Sequence, residues 1–401
     1  MSTATLATAQ EAQDIQASST PETARPAVSG ARRIVVKLGT RVLTDKEGYL
    51  ASSRVGALVA TAAAIRQSGR EVILVSSGAL ALGCKILGYE VPPNRPDLRR
   101  ACAAVGQTQL TSLYEHRLSL HGLVGAQVLV SESDFDDRDR NLKLRRTLDA
   151  LLQRGVVPIL NENDAVAAAD LPSVDGTHRP VFGENDRLAA LVSSAVKADL
   201  LVLLTNVAGV FDAHPSKAPE AKLLHTIEDS SVLAACTGSG SLVSRGGMRS
   251  KVEAALIASS GGCHAVIASG TAGGAFSHLM AGEEIGTWFP AQGNLDTRDR
   301  WIAYSTAIRG VLHLDAGAVA ALRQRNASLL AKGLVAVDGD FGPGDVVELR
   351  GPGRELVGRG LIRFSATAVD RWRQGKPPAE VAGQGTLIRR NFIVLAPEGE
   401  H

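Results

Sequence analysis

The sequence has few of the residues that define several classes of protein. Only 4 cysteines occur in 401 residues, and no pair has the C-x-x-C spacing of a zinc knuckle or a thioredoxin-like redox site. The 9 histidines are scattered, which argues against a metal centre built on imidazole. Aromatic residues make up 4% of the chain. A core of small aliphatic side chains suits helices packed on a parallel sheet better than an aromatic-rich β-sandwich.

Long apolar runs and a large excess of one charge are also missing. No run approaches the roughly 18 apolar residues that a membrane-spanning helix needs. The first 30 residues carry Glu11, Asp14 and Glu22 against one basic residue, Arg25, so they resemble neither a signal peptide nor a mitochondrial transit peptide. We therefore expect a cytoplasmic protein with no membrane association. The formal net charge of +2 gives no global attraction to nucleic acid.

The chain does contain an alternation of short apolar runs and helical patterns between about residues 34 and 268. This alternation predicts βαβ units in an α/β protein, with a mostly parallel sheet covered on both faces. Beyond residue 300, short runs separated by Gly and Pro predict a small β-rich barrel over 300–392. Residues 1–30 show no apolar period, so we expect a disordered tail there and a main domain over 31–291.

Two helical segments allow their buried faces to be predicted. In the helix that begins near Ser52, the expected inward residues are Val55, Leu58, Val59, Ala62 and Ile65. In the charged helix over 138–153, the expected inward residues are Leu142, Leu148, Leu151 and Leu152.

Polar residues that follow predicted strands are the candidates for chemistry, because the ends of parallel strands meet at one edge of a sheet. The familiar P-loop, G-x-G-x-x-G, H-E-x-x-H and G-x-S-x-G patterns are absent. The candidates that follow predicted strands are Lys37, Ser77, Asp164, Thr205 and Asn206. Two further candidates, Asn185 and Asp186, open the helix predicted over 185–197. Each segment also has an ordinary interpretation as a helix cap or a strand-end turn.

A basic, glycine-containing segment opens the helix predicted near residue 247. It consists of Arg245, Gly246, Gly247, Met248, Arg249, Ser250 and Lys251. Cations are disfavoured at a helix N-terminus by the helix dipole, so their presence favours a bound anion between them, although a solvated loop explains them as well. Together, the segments describe two or more lysines around a phosphate, which is what phosphoryl transfer requires.

The same segments resemble the glutamate 5-kinases, a branch of the amino-acid kinase family. The resemblance rests on these motifs in order over residues 34–251: V-V-K-L-G-T, V-S-S-G-A, A-V-G-Q, I-L-N-E-N-D-A-V, G-E-N-D-x-L, L-L-T-N-x-x-G-V-F and G-G-M-x-S-K. It continues into a C-terminal segment similar to a PUA domain. It implies the amino-acid kinase fold, a three-layer αβα sandwich.

The resemblance also implies an activity and residue roles. The reaction would be ATP-dependent phosphorylation of the γ-carboxylate of L-glutamate, the first step toward proline. Lys37, Lys251 and Asp186 would be catalytic, and Ser77, Asp164 and Asn185 would bind glutamate. ATP would be bound by Lys37, Thr205, Asn206 and the segment from Arg245 to Lys251. Mg²⁺ would accompany ATP, held by phosphates and water with no dedicated protein ligand. Family members are typically homo-oligomers inhibited by proline.

Three positions depart from the family pattern, and two other functions stay open. Arg41 replaces a small residue, Asn206 replaces an Asp, and His214 replaces an Asp before Pro215. One alternative is an RNA-binding or RNA-modification protein, suggested by the PUA-like segment. The last 101 residues of the chain carry 13 Lys and Arg against 10 Asp and Glu. This small positive excess, together with the few aromatic residues, makes RNA an unfavoured partner. The other is a catalytically silent regulatory protein.

Overall fold

The computed structural model describes most of the chain. The described residues are 25–45, 47–131, 133–166, 185–213, 218, 220–228, 247–292, 299, 302, 308–325, 327–376 and 385–396. Residues 1–24 of the tail predicted over 1–30, and residues 293–298 between the two predicted units, lie outside these ranges.

Seven strands form one sheet in the N-terminal part of the described chain. They are β1 (Arg33–Leu38), β2 (Glu71–Ser76), β3 (Gly125–Val130), β4 (Val157–Glu162), β5 (Leu200–Thr205), β6 (His264–Ser269) and β7 (Thr287–Phe289). Their order is β3-β4-β2-β1-β5-β6-β7. The first six are parallel, and β7 pairs antiparallel with β6. The prediction of a mostly parallel sheet is confirmed.

Helices cover this sheet on both faces. They are α1 (Pro26–Ser29), α2 (Thr40–Leu43), α3 (Ser52–Gln67), α4 (Ala79–Ile86), α5 (Pro96–Ser119), α6 (Ser133–Asp136), α7 (Arg138–Gln153), α8 (Asn185–Val196), α9 (Met248–Ser260) and α10 (Ala275–Ala281). One face packs against α3, α5 and α10, and the other against α7, α8 and α9. The three-layer αβα sandwich is therefore confirmed.

The two predicted helix faces come out differently. All five residues expected to face inward from α3 are buried. In α7, Leu148 and Leu152 are buried, but Leu142 is 42% exposed, so its inward assignment is wrong. The neighbouring residue Lys143 is exposed as well, so in this part of α7 the apolar period does not by itself report burial.

Strand β1 sends alternate side chains to the two faces, as the pleat of a strand requires. Ile34, Val36 and Leu38 pack on the side of α3 and α5, whereas Val35 packs on the side of α8 and α9. Lys37 shares the orientation of Val35. The pleat therefore places its ammonium group toward α8 and α9, at the carboxyl end of the strand.

Residues 25–30 are ordered, so the prediction of a tail through residue 30 is wrong for this stretch. Val28 in α1 is fully buried. Arg25 donates from Nη1 to the Ile285 carbonyl at 2.9 Å and lies over the Trp288 ring, 5.7 Å from its centroid. Its backbone N–H also donates to the Gly282 carbonyl at 2.6 Å. The partners lie more than 250 residues away, so no local pattern could reveal them.

Helices α4 and α5 form a hairpin that the sequence reading did not resolve. They touch backbone to backbone at two glycines. A Cβ on Gly83 would lie 1.7 Å from the Cys102 carbonyl oxygen, and one on Gly106 would lie 1.9 Å from the Ala79 carbonyl oxygen. Only glycine permits this approach. Gly106 belongs to the A-V-G-Q motif, so one element of that motif has a packing function.

The C-terminal part is β-rich, as predicted. Its elements are β8 (Ile308–Leu314), α11 (Ala316–Arg325), β9 (Leu329–Leu330), β10 (Leu334–Gly339), β11 (Val346–Arg350), β12 (Leu356–Leu361), α12 (Ala366–Arg373), β13 (Thr386–Ile388) and β14 (Ile393–Leu395). Five strands pair in the order β10-β8-β11-β12-β14, and β13 pairs with β9. Among the described residues these pairings do not close into a barrel. The helices α11 and α12 were not anticipated. Their residues Leu322 and Val369 are buried in the core of this unit.

Among the described helices, none has the length and apolarity to span a bilayer.

Candidate active site

Two buried lysines meet one buried aspartate where the carboxyl ends of β1 and the first turns of α8 and α9 converge. Lys37 Nζ lies 2.7 Å from Asp186 Oδ1, and Lys251 Nζ donates to Asp186 Oδ2 at 3.0 Å. Ser250 Oγ is 3.2 Å from the same Oδ2. The carboxylate is 1% exposed as a side chain, and the two lysines 6% and 11%. The sequence singled out all three charged residues, and the structure brings them together.

Asp186 keeps its negative charge in this environment. Burial alone would raise the pKa of Asp186, but the ammonium groups of Lys37 and Lys251 hold it below its usual range. Its place in the first turn of α8 also favours a negative charge, because the helix dipole is positive there. The carboxylate therefore fixes two cations at one point and leaves the cluster with a net positive charge.

Asn185, one residue earlier, joins the site to the end of β2. Its Nδ2 donates to the Ser76 carbonyl at 2.7 Å and to Asn161 Oδ1 at 2.8 Å, and it lies 3.3 Å from Ser77 Oγ. The structure thus brings Asn185 and Ser77 into contact, and their role in binding glutamate stays a prediction. Gly78, which follows Ser77, has φ of +98° and turns the chain into α4.

Asp164 follows β4 and is partly buried. Burial raises the pKa of Asp164 to about 6, and the positive charge of Arg99 opposes the rise. A carboxyl group with this pKa is ionised at neutral pH and becomes protonated under mildly acidic conditions. Its role in binding glutamate stays a prediction.

The predicted nucleotide-binding residues differ in burial and in their contacts. Thr205 is buried at the end of β5, with Oγ1 3.4 Å from Asn206 Oδ1, whereas Asn206 is exposed. Met248 packs on the core beneath α9, so its visible contacts are structural. Arg249 pairs with Glu253 at 2.7 Å, and both side chains are nearly half exposed. Gly247 is the N-cap of α9.

Several predicted positions cannot be placed. Arg245, Gly246 and His214 lie outside the described residues, as does most of the segment between Asp164 and Gly183. Arg41 is described and exposed on α2, which agrees with an outward-pointing side chain. Within the described ranges, no group of three or more His, Cys, Asp or Glu side chains could hold a metal ion.

Asn161 and Gln107 are polar residues at the site whose individual roles the sequence reading missed. Asn161 is 1% exposed at the end of β4 and donates from Nδ2 to Gln107 Oε1 at 2.7 Å. Both occur in motifs quoted above, N-E-N-D-A-V and A-V-G-Q. Polar residues within apolar surroundings were the available signal, but the two residues are 54 positions apart in the sequence, so no local pattern reveals their contact.

Comparison with known proteins identifies the class that this fold and site define. The model of the amino acid kinase family matches residues 32–269, and the PUA domain model matches residues 310–377. The chain belongs to the amino acid kinase family.

Within this family, the chain is similar over most of its length to proteins named glutamate 5-kinase. Glutamate 5-kinase of Moorella thermoacetica is 41% identical over 380 residues, which cover 92% of this chain and 98% of the relative. Glutamate 5-kinase of Rhodopseudomonas palustris is 40% identical over 380 residues, with the same coverage. Glutamate 5-kinase of Pseudomonas putida strain GB-1 is 41% identical over 380 residues, which cover 92% of this chain and the whole relative.

Proposed function

We propose that this protein transfers the γ-phosphoryl group of ATP to the γ-carboxylate of L-glutamate, giving ADP and L-glutamyl 5-phosphate. The observation that carries the proposal is the Lys37–Asp186–Lys251 cluster at the carboxyl end of the sheet. Relatives that match nearly the whole chain bear the name of this activity. The product is an acyl phosphate, the activated form of glutamate with which proline synthesis begins.

The cluster suits the charge changes of phosphoryl transfer. The transferred group spreads negative charge over its peripheral oxygens, and fixed cations stabilise that charge. Lys37 and Lys251 are both held by Asp186, so their ammonium groups need no reorganisation as the reaction proceeds. The attacking γ-carboxylate is already ionised at pH 7, so the reaction needs no general base.

The same contacts support a proposal about the metal ion that accompanies ATP. Both oxygens of Asp186 are engaged by lysines, so this carboxylate is committed to orienting cations. We therefore propose that Mg²⁺ enters with ATP, bound by the phosphates and water. When bound, it would neutralise phosphate charge beside the two lysines.

Further proposals come from the resemblance described above. We propose cytoplasmic activity, feedback inhibition by proline and assembly into a homo-oligomer. We also propose a catalytic unit that ends near residue 291 and begins at residue 25, and a PUA-like unit over 300–392. Activity measured with added proline and light scattering of the purified chain test the second and third of these.

Trapping the acyl phosphate with hydroxylamine tests the proposed function. We expect γ-glutamyl hydroxamate to form only when ATP, Mg²⁺ and L-glutamate are all present. L-Aspartate serves as a control acceptor in the same assay, and UMP, whose product UDP does not react with hydroxylamine, is tested by release of ADP. Both should give little or no product. Turnover of either control acceptor without turnover of L-glutamate would refute the proposal.

A further inference from the structure

A chain of side-chain amides runs from Asn185 at the site into helix α5. Asn185 Nδ2 donates to Asn161 Oδ1 at 2.8 Å, Asn161 Nδ2 donates to Gln107 Oε1 at 2.7 Å, and Gln107 Nε2 donates to Thr111 Oγ1 at 3.1 Å. The four residues come from three elements, α8, β4 and α5. Each amide therefore constrains the orientation of the next.

A backbone carbonyl at one end fixes which amide atom donates and which accepts in this series of hydrogen bonds. The Ser76 carbonyl oxygen can only accept, so the atom of Asn185 that lies 2.7 Å from it must be the amide nitrogen. That same nitrogen faces Asn161, which must then present its oxygen. The nitrogen of Asn161 consequently faces Gln107, which must also present its oxygen.

This arrangement uses both hydrogens of the Asn185 amide. One goes to the Ser76 carbonyl and the other to Asn161, while Ser77 Oγ is more distant at 3.3 Å. No described residue donates to Asn185 Oδ1. The amide of Asn185 can therefore offer a ligand only an acceptor, and a hydrogen-bond acceptor recognises an ammonium group and not a carboxylate.

We propose that Gln107 is a positioning residue that acts through Asn161 to keep the Asn185 oxygen directed at the substrate, and that this oxygen binds the α-ammonium group of the amino acid. The proposal rests on the proposed function, and it assigns one group of the substrate to one atom. Losing the Gln107 acceptor frees Asn161 to rotate. Asn185 then loses its Asn161 partner and keeps the Ser76 carbonyl, about which the plane of its amide can turn. The loss falls on the ammonium contact alone.

Two ligands separate this effect from a general defect. L-Glutamate carries the α-ammonium group, and glutarate has the same two carboxylates without it. Binding of each to the full-length protein is measured by titration calorimetry without ATP, so that no turnover occurs. Gln107→Met removes the acceptor with little change of shape. Gln107→Glu keeps an acceptor toward Asn161 and can accept from the Thr111 hydroxyl. Gln127→Met is the matched control on exposed strand β3.

We expect Gln107→Met to raise the Kd of L-glutamate about tenfold, which corresponds to about 1.4 kcal/mol, and to change the Kd of glutarate less than about twofold. Gln107→Glu should keep the wild-type preference for L-glutamate over glutarate, and Gln127→Met should not alter this preference. In turnover, Gln107→Met should raise KM for L-glutamate more than it lowers kcat, with KM for ATP unchanged.

Two outcomes would overturn the proposal. Equal weakening of both ligands in a folded Gln107→Met protein would mean that the residue only supports the structure. If Gln107→Glu does not keep the preference for L-glutamate over glutarate, then the acceptor at residue 107 does not position Asn161. If Gln107→Met does not fold, the Gln107→Glu protein still decides, because the proposal requires it to keep the wild-type ratio of the two Kd values. Failure of the proposed function is a separate result, in which the wild-type protein phosphorylates no L-glutamate.

Discussion

Lys251 donates to Asp186 across 65 residues of chain, with 3.0 Å between Nζ and Oδ2. The contact joins the first turn of α9 to the first turn of α8, two helices on the same face of the sheet. Lys37 reaches the other oxygen of the same carboxylate from β1. Three elements that meet only in the folded protein thus hold one cationic cluster.

Removing the Lys251 ammonium group should abolish turnover without unfolding the protein. We expect Lys251→Ala to lower kcat by at least about 10³-fold, because fixed cations at a transferring phosphoryl group contribute several kcal/mol. Asp186 retains Lys37 as a partner, so the fold should persist. Lys143→Ala on exposed α7 is the matched control and should keep kcat within about twofold. Steady-state kinetics and circular dichroism measure both effects, and wild-type turnover by Lys251→Ala would contradict the assignment.

Asp164 should link substrate binding and stability to pH. Because its pKa is about 6 in the folded protein and lower when unfolded, ionisation of Asp164 opposes folding. The folded state binds the proton more tightly, so this contribution to stability is lost as pH rises from about 4 to 6. Asp164→Asn should therefore raise Tm relative to wild type at pH 7.5, with the difference shrinking as pH falls below 6.

The same substitution should impair binding. If the Asp164 carboxylate shares the substrate ammonium with the Asn185 oxygen, Asp164→Asn raises KM for L-glutamate by more than about tenfold, since a charge-assisted contact is lost. The wild-type KM should likewise rise below pH 6. A variant that is both less stable at pH 7.5 and normal in KM would contradict this account of the residue.

The close contact between α4 and α5 predicts that adding one methyl group at Gly83 destabilises the protein strongly. Gly83→Ala places a Cβ 1.7 Å from the Cys102 carbonyl oxygen, so the two helices must separate. We expect the free energy of unfolding to fall by about 3 kcal/mol or more, as in severe overpacking. Gly273→Ala, where no atom lies within 4 Å of the new Cβ, is the control. Chemical denaturation of both variants with equal midpoints would show that the close contact is not required.

Arg25 should stabilise the fold although it precedes the first strand. Arg25→Ala removes hydrogen bonds to the carbonyls of Ile285, His225 and Gly286. We expect the free energy of unfolding to fall by about 2 kcal/mol, because charged donors to buried carbonyls are among the stronger hydrogen bonds. Arg32→Ala, at an exposed side chain, should have little effect. Thermal melts compare the two, and an unchanged Tm for Arg25→Ala would contradict an anchoring role.

Local patterns predicted most of the αβα fold. Strands β1, β2 and β5 are continuous apolar runs, and the ends of such runs in a parallel sheet lie at one edge. The sequence therefore predicts that Lys37 lies at this edge, whereas Asp186 reaches it from the first turn of α8. Helix α5 was not predicted because its buried residues are spread over 24 positions with polar residues between them. Its packing also depends on two glycines, Gly83 and Gly106, that come together only in the folded protein.

The finer features of the site depend on long-range contacts. The Ser76 carbonyl, 109 positions away in the sequence, requires the Asn185 amide to present its nitrogen. This in turn determines which atoms Asn161 and Gln107 present to each other. A sequence motif identifies these residue types but carries no information about which amide atom faces which partner. The same holds for Arg25, whose carbonyl partners belong to the opposite end of the domain.

The most direct test of the central claim follows the oxygen atoms of the reaction. L-Glutamate labelled with ¹⁸O in its γ-carboxylate is incubated with the protein, ATP and Mg²⁺, without hydroxylamine. The acyl phosphate cyclises to 5-oxoproline as its amine attacks the γ-carbonyl, and the leaving phosphate keeps the bridging oxygen. Mass spectrometry of the phosphate should find one ¹⁸O atom in each molecule formed in step with 5-oxoproline. Unlabelled phosphate would mean that water attacks ATP, and it would contradict transfer to the γ-carboxylate.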